Sequence, residues 1–335
     1  MSNPQVSTLV IPQAIQNFSL EYTPPELINE RVAPIVSLPS LQSKVLKYQK
    51  GNLFQFTPGQ ARREIGTRRH ELQFQAGMVT ANPQQYSEAI PIPDELIELM
   101  NTPGQLPLKP LQDATKKLIW SISMEREYQI SKLIFSPASA AYYWADATSG
   151  GTDIQGHWGL ATTSNTFKDD IWAAKSAILN ASGKEPNVLV IDYSTFMAQK
   201  KNPNIRDDIK YTQLAITTVG LLAELLELDE VIVAKSMYDA GPDNINDTLS
   251  TPTSFTKFWN PSGKGNAFLF YREAPAMYSV ASLYQYRFPY KGSLRYMRTY
   301  YDEQTSSQMM HVTEYVDPSP VALDTGWVFK NCITA

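Results

Sequence analysis

Between Pro110 and Phe135, Leu111, Ala114, Leu118, Ile122, Ile130, Leu133 and Ile134 recur at spacings built from three and four residues. That spacing places them on one stripe of an α-helix. Pro110 suits a first helical turn, where a missing N–H costs nothing, and Asp113 suits the positive end of the helix dipole. About 24 residues at 1.5 Å each make a rod of roughly 36 Å. A rod of that length is a spine, and the rest of the chain has to be arranged along it. Arg126 falls where the stripe calls for an apolar residue, with Glu125 and Glu127 beside it.

Upstream of the rod, prolines stand at positions 4, 12, 24, 25, 34 and 39. Proline lacks a donor and resists both helix and central strand, so residues 1–43 read as an extended arm. The arm carries Leu9, Val10, Ile11, Phe18, Tyr22, Leu27, Ile28, Val32, Ile35 and Val36. A disordered tail would not need such anchors. Residues 44–56 give two strand-like runs around Gly51-Asn52, a hairpin. Glu71 to Phe74 with Ala89 to Ile92 form a second expected pair. Too few large apolar residues lie here to build a core, so the region is expected to project.

Charge in this projection is segregated. Residues 44–70 hold Lys44, Lys47, Lys50, Arg62, Arg63, Arg68 and Arg69 against a single acid, Glu64. Residues 71–104 hold Glu71, Glu88, Asp94, Glu95 and Glu98 and no Lys or Arg. One reading is a solvated hairpin whose strands pair within the chain. The other is a basic loop docking on an acidic surface of an identical neighbour. Exposed pairs of this kind set register and partner choice more than affinity.

Beyond the rod, Thr166 opens a second helix with Asp169 at capping-box spacing. Ile171, Ala174 and Ile178 form its apolar face and Gly183 ends it. Val188 to Ile191, Val231 to Ala234 and Ala267 to Tyr271 read as buried strands. Helices are expected from Tyr193 to Lys201, stopped at Asn202-Pro203, and from Leu214 to Leu226. Together these make a compact α/β lobe over 186–271. Residues 279–301 and 308–316 alternate as long strands joined by a turn from Asp302 to Ser307. Met309, His311, Thr313 and Tyr315 share one face; Met310, Val312, Glu314 and Val316 share the other. This hairpin is expected to pack on the spine helix, and Gly326 to Asn331 gives a last strand.

Composition removes most chemistries. One cysteine, Cys332, excludes an intramolecular disulfide and a four-cysteine zinc site; it reads as a small packing residue. The three histidines are scattered, and no metal site is expected. The net charge of −4 speaks against a general nucleic-acid binder. No apolar run approaches the roughly 20 residues of a membrane helix, no signal-peptide pattern opens the chain, and a cytosolic product without membrane contact is expected. G-x-S-x-G, phosphate-cradling glycine loops and H-E-x-x-H are all missing, so neither a catalytic residue nor a cofactor site is expected. The loop with Asp239, Asp243, Asn244, Asn246 and Asp247 lacks EF-hand spacing and reads as a solvated Asx-turn loop.

The strongest local bias lies at 283–301. It holds Tyr284, Tyr286, Tyr290, Tyr296, Tyr300 and Tyr301 with Arg287, Lys291, Arg295 and Arg298, and no acid. Tyrosines on sheet faces explain it; so does subunit contact, since Tyr and Arg dominate hot spots; so does nonspecific contact with packaged nucleic acid. The charged fraction of 19% is low and tyrosine leads the aromatics, which favours surface committed to contacts.

The order of parts is arm, basic projecting loop, spine helix, α/β lobe and returning strands. It resembles the tailed-phage major capsid proteins of the HK97 type over nearly the whole chain. Local strings agree: Ala33-Pro-Ile-Val36, then Ser43-Lys-Val-Leu-Lys-Tyr48 and Lys50-Gly51, are similar to that family's arm-to-loop transition. Glu185-Pro-Asn-Val-Leu-Val-Ile191, Phe196, Asn202-Pro-Asn-Ile205 and Ile209-Lys-Tyr211 are similar to the start of its axial domain. The resemblance implies an α+β, HK97-like fold with an N-terminal arm (1–43) and an E-loop (44–92). It further implies a peripheral domain (93–185 and 272–335) and an axial domain (186–271). It implies hexamers and pentamers closing into an icosahedral shell around double-stranded DNA, assembled in the host cytoplasm and found in the virion. Only about 43 residues precede the loop, so either a scaffolding extension has been cleaved or a separate scaffolding protein exists, and Met1 favours the second. A portal protein and a decoration protein are further implied partners. Intersubunit contacts are expected at Lys47, Lys50, Arg62, Arg63, Arg68, Arg69, Glu88, Asp94 and Glu95, and at Tyr284, Tyr286, Arg287, Arg295 and Arg298. Lys47 and Lys50 lie in the loop where some members crosslink, but no partner for that chemistry is evident. An encapsulin-like protein compartment and an α/β enzyme stand as alternatives.

Overall fold

The computed structural model describes residues 26–47, 77–100, 110–137, 144, 151–209, 218–239, 255–275 and 280–334, with single positions between 56 and 65. The arm up to residue 25, the tip of the basic loop and the oxygen-rich loop after Asp239 lie outside the described residues.

In chain order, a one-turn helix α1 (Asn29–Val32) leads to β1 (Ile35–Ser37), β2 (Ser43–Lys47), β3 (Gly77–Ala81) and β4 (Gln84–Pro93). The short helix α2 (Asp94–Met100) precedes the spine helix α3 (Pro110–Phe135). Then follow β5 (Thr152–Asp153), α4 (Phe167–Ser182), β6 (Val188–Asp192), α5 (Tyr193–Gln199), α6 (Pro203–Ile209) and α7 (Val219–Leu225). The remaining elements are β7 (Glu230–Ala234), β8 (Met237–Asp239), β9 (Phe255–Lys257), β10 (Ala267–Phe270), β11 (Leu283–Arg287), β12 (Tyr296–Asp302), β13 (Ser307–Pro320) and β14 (Gly326–Lys330).

Two five-stranded sheets carry the molecule. In the first, the fourteen-residue β13 is central. It pairs antiparallel with β4 on one side and with β11 and β12 on the other, and β1 adds parallel to β11. The second runs β5-β14-β10-β6-β7, with β6 and β7 parallel and β10 antiparallel to β6 and β14. This sheet therefore draws strands from outside 186–271. Its centre is buried on both faces, which is why β6 reads Val-Leu-Val-Ile without alternation. Val188 and Val190 face one core, while Leu189 and Ile191 face the other.

The spine helix joins the two halves. Near its start, Ala114, Leu118 and Ile122 pack on Ile92, Met297, Met310 and Val312 of the long-stranded sheet. Near its end, Ile130, Ile134 and Phe135 pack with Val188, Val190, Phe268 and Phe270 of the lobe. The helix that periodicity predicts over 110–135 is the helix observed.

Four local features go beyond the sequence expectations. Ser43–Lys47 pairs with Gly77–Ala81, so a ribbon closes the base of the loop, while the expected turn at Gly51-Asn52 lies outside the described residues. Ala89 to Ile92 belongs to β4 and pairs with β13, while 71–74 lie outside the described residues. At the start of α4, Asp169 is not the reciprocal cap; the Thr166 hydroxyl donates to Asp170, and the Phe167 N–H donates to Asn165 Oδ1. Pro203 opens α6 as its first residue, while α5 has already ended at Gln199. Gly183 ends α4 as expected, in the left-handed region at φ 70°, with its N–H donating to the Leu179 carbonyl.

Candidate assembly surfaces and the buried charge cluster

Five charged side chains meet where α1, the middle of α3 and the long-stranded sheet converge. Arg126 Nη1 lies 3.2 Å from Glu30 Oε1, and Arg287 Nη2 lies 3.0 Å from the same oxygen. Arg295 Nε donates to Glu314 Oε1 at 2.6 Å, and Arg126 Nε stands 3.5 Å from Glu314 Oε2. Burial alone pushes the Glu314 carboxyl up, but Arg126, Arg295 and Arg287 together outweigh it, so it lies below the usual carboxylate range. Glu30 follows the same balance, with Arg287 and Arg126 overcoming burial. Three arginines against two glutamates leave one buried positive charge in excess. Arg287 registers it: burial and the neighbouring Arg126 push its pKa down to about 10.

The next residue on the spine ties in the lobe. Glu127 Oε1 accepts from Trp259 Nε1 at 2.5 Å and from the Ser236 hydroxyl at 3.0 Å, while Oε2 accepts the Ile28 N–H at 3.0 Å. Burial raises its pKa in spite of these donors. Positions 126 and 127 thus clamp three parts of the chain: the entering segment at 28–30, the long strands and the α/β lobe. Sequence reading marks Arg126 as a break in the apolar stripe and places Glu314 on a strand face with Met310, Val312 and Val316. Pairing them needs the tertiary fold. Glu30 carries no sequence signal.

The sites expected from sequence fall into three groups. Lys47 lies on β2 of the loop-base ribbon and Arg62 is exposed; Lys50, Arg63, Arg68 and Arg69 lie outside the described residues. Near the acidic end, Glu88 on β4 accepts the Ser121 hydroxyl of the spine at 3.0 Å. Asp94 accepts the Tyr301 hydroxyl at 2.7 Å, and Glu95 is exposed on α2. In the tyrosine-rich strands the outcome divides. Tyr284, Tyr286, Arg287 and Arg295 are buried within the chain and are not presented to a neighbour. Burial pushes the Tyr286 hydroxyl up to about 12, and both arginines belong to the charge cluster. Arg298, Tyr300 and Tyr301 remain exposed. The reason is register: β11 is buried along its whole length between β1 and β13, whereas β12 turns alternate residues outward.

Among the described residues no group of three or more His, Cys, Asp or Glu side chains could hold a metal ion. No described helix is long and apolar enough to cross a membrane. Cys332 is buried, and its thiol pKa is raised by that burial and by Asp192 and Asp170.

No family model matches the chain. The major capsid protein of Burkholderia phage BcepMu is 24% identical over 244 residues, spanning 71% of this chain and 73% of that protein. A phage-related protein from Bordetella bronchiseptica superposes with a TM-score of 0.71 at 19% identity, covering 97% of this chain and 98% of that one. A subunit of the mature bacteriophage PhiM1 capsid superposes at 0.51 with 9% identity, covering 92% and 88%. By sequence the chain is thus similar to phage major capsid proteins, and its fold is the HK97-like fold of phage capsid structures.

Proposed function

We propose that this chain is the major capsid protein of a tailed phage, a structural subunit that assembles with copies of itself into the virion shell. The observation that carries the reading is the sequence relationship to a major capsid protein across more than two thirds of both chains. Within it, residues 1–43 serve as the arm, 44–92 as the E-loop, 93–185 with 272–335 as the peripheral domain and 186–271 as the axial domain. The shell is icosahedral, built of hexamers and pentamers, and encloses double-stranded DNA held nonspecifically. Its further partners are a separate scaffolding protein, during assembly in the host cytoplasm, and a portal protein.

The basic loop supports head-to-tail contacts of the kind that close into rings. Lys47, Lys50, Arg62, Arg63, Arg68 and Arg69 reach from one subunit toward the acidic stretch with Glu88, Asp94 and Glu95 on the next. Reversing Arg62, Arg63, Arg68 and Arg69 to Glu is expected to leave a folded subunit that forms no particles. Normal particles at ordinary salt would remove the loop from the assembly contacts. The decisive test of the reading as a whole is negative-stain microscopy of the purified chain, alone and with its scaffold. Rings, tubes or closed shells are expected; a stable monomer or dimer at high concentration under both conditions would overturn it.

A further inference from the structure

The α/β lobe carries two bare apolar patches, set toward opposite ends of its parallel strands β6 and β7. The first stands where those strands finish. Helix α5 leaves β6 directly; it turns Phe196 into the core and leaves Tyr193 and Met197 exposed on one stripe. The ribbon of β8 and β9 follows β7 and adds exposed Met237 and Phe255, the latter at 60%. These side chains share one surface. Lys235 lies 6.0 Å from the Tyr193 ring centroid. Lys257 stands opposite Met237 in register and donates to the Ser194 hydroxyl, next to Tyr193.

The second patch lies on α4. Ile171, Ala174 and Ile178 face the core, while Trp172 and Leu179, two turns apart, are each 46% exposed. Lys175 lies one turn from both and is buried. Its ammonium donates to the Leu226 and Glu227 carbonyls at 3.0 and 3.2 Å and stands 2.9 Å from Glu185 Oε1. Glu185 and Glu227 therefore flank the Trp172–Leu179 stripe, just before β6 and β7 begin. Exposed apolar side chains gathered in this way mark contact surfaces.

Among the described residues the charges at the two patches are opposite. At the first, Lys200, Lys201 and Lys235 are exposed, and Lys200 and Lys201 continue the stripe of Tyr193 and Met197. The acids there are Asp239 and the buried Asp192, whose carboxylate lies 3.8 Å from Lys257. At the second, Asp169, Glu185, Glu224 and Glu227 are exposed. The cations beside them are engaged: Lys175 as above, Lys168 by Asp208 of α6, and Lys184 over the Tyr271 ring. Helix α6 adjoins both patches and adds Arg206 and Asp207, which cancel. We propose that the Tyr193, Met197, Met237 and Phe255 patch of one copy docks on the Trp172–Leu179 stripe of the next, with Lys200 and Lys201 against Glu227. One copy cannot satisfy both patches itself, because they stand toward opposite ends of the same strands. The contact joins two different surfaces, so it runs head to tail and propagates around a ring. The inference rests on the capsid reading above and adds a contact made by the lobe, separate from the basic loop.

A double-mutant cycle read on assembly tests it. Trp172→Ser and Phe255→Ser are each expected to raise the concentration at which half the chain is assembled at least about tenfold. Together they should raise it no further than the larger single effect, because each removes the other's partner. An unchanged concentration for either single variant would overturn the proposal, and so would effects that multiply. The thermal melt of the unassembled subunit is the fold control. If a single variant lowers that melt, Lys200→Glu/Lys201→Glu is read instead, since both side chains are exposed. At low salt it must raise the concentration, and adding Glu227→Lys must bring it back down, because like charges across an interface are costly. A reversal without effect, or one that Glu227→Lys leaves unrescued, would overturn the proposal. A defect confined to assembly with the scaffold would also overturn it and assign the patches to that protein. A wild-type chain that forms no particles would instead defeat the capsid reading, so the two failures are distinct.

Discussion

Arg126, on the spine helix, holds Glu30 of the entering segment at 3.2 Å while its side chain stays 2% exposed. An arginine that deep in a core is stable only with carboxylates around it, because its charge has lost water as a partner. Glu30 and Glu314 supply them from opposite ends of the sequence. The cluster therefore reports whether the N-terminal segment, the spine and the last long strand have come together.

Removing one acid unbalances it. Glu314→Gln leaves three arginines facing Glu30 alone, and breaking a buried pair of this kind costs about 3–5 kcal/mol. Denaturant unfolding of the unassembled subunit is expected to show that loss as a lower midpoint. Replacing the more exposed Glu30 with Gln is expected to cost less, since 30% of its side chain faces solvent.

Acid should act on the same two residues. Glu314 and Glu30 have pKa values below those of an unfolded chain, near 4.3, because burial is outweighed by the arginines. Their contribution is complete above that value and is lost as pH falls through the folded values. Glu127 has the opposite sign: burial raises its pKa, so it favours the fold increasingly as pH falls toward the unfolded value. Melts across pH should thus steepen below about pH 4.3, and Glu314→Gln should flatten that limb. An unchanged acid limb in the variant would place the loss elsewhere.

Two glycines in one turn separate strain from crowding. Gly263 and Gly265 have φ of 74° and 73°. A Cβ at Gly263 meets nothing within 4 Å, whereas one at Gly265 would stand 2.2 Å from the Thr195 hydroxyl oxygen. Gly263→Ala is expected to cost about 1–2 kcal/mol from the left-handed backbone alone. Gly265→Ala should cost clearly more, read as the difference between two denaturation midpoints.

Truncation should divide the arm at residue 26. Leu27, Ile28, Asn29 and Val32 are buried against the body, and the Ile28 N–H bonds Glu127. Deleting residues 1–25 is expected to preserve the cooperative melt of the subunit while weakening shells. Extending the deletion through Ala33 should destabilise the subunit itself, because it removes Glu30 along with these apolar groups. Equal melts for the two truncations would dissolve that boundary.

By itself the sequence determined what is local. The 26-residue spine follows from a three-and-four apolar spacing. The central strands of the lobe follow from unbroken apolar runs, and the two faces of β13 from strict alternation. Gly183 closes its helix for a reason carried by one residue. Tertiary structure decided what depends on residues far apart: that Ser43–Lys47 pairs with Gly77–Ala81, that β14 and β5 complete the lobe's sheet, and that Arg126 meets Glu30 and Glu314. It also decided which tyrosines and arginines of 283–301 are surface. Tyr286 and Arg287 differ from Tyr300 and Arg298 in nothing the sequence displays. What differs is neighbours: β11 lies between two strands under a covered face, while β12 lies at an edge with one face turned outward, and burial follows from that position and not from residue type.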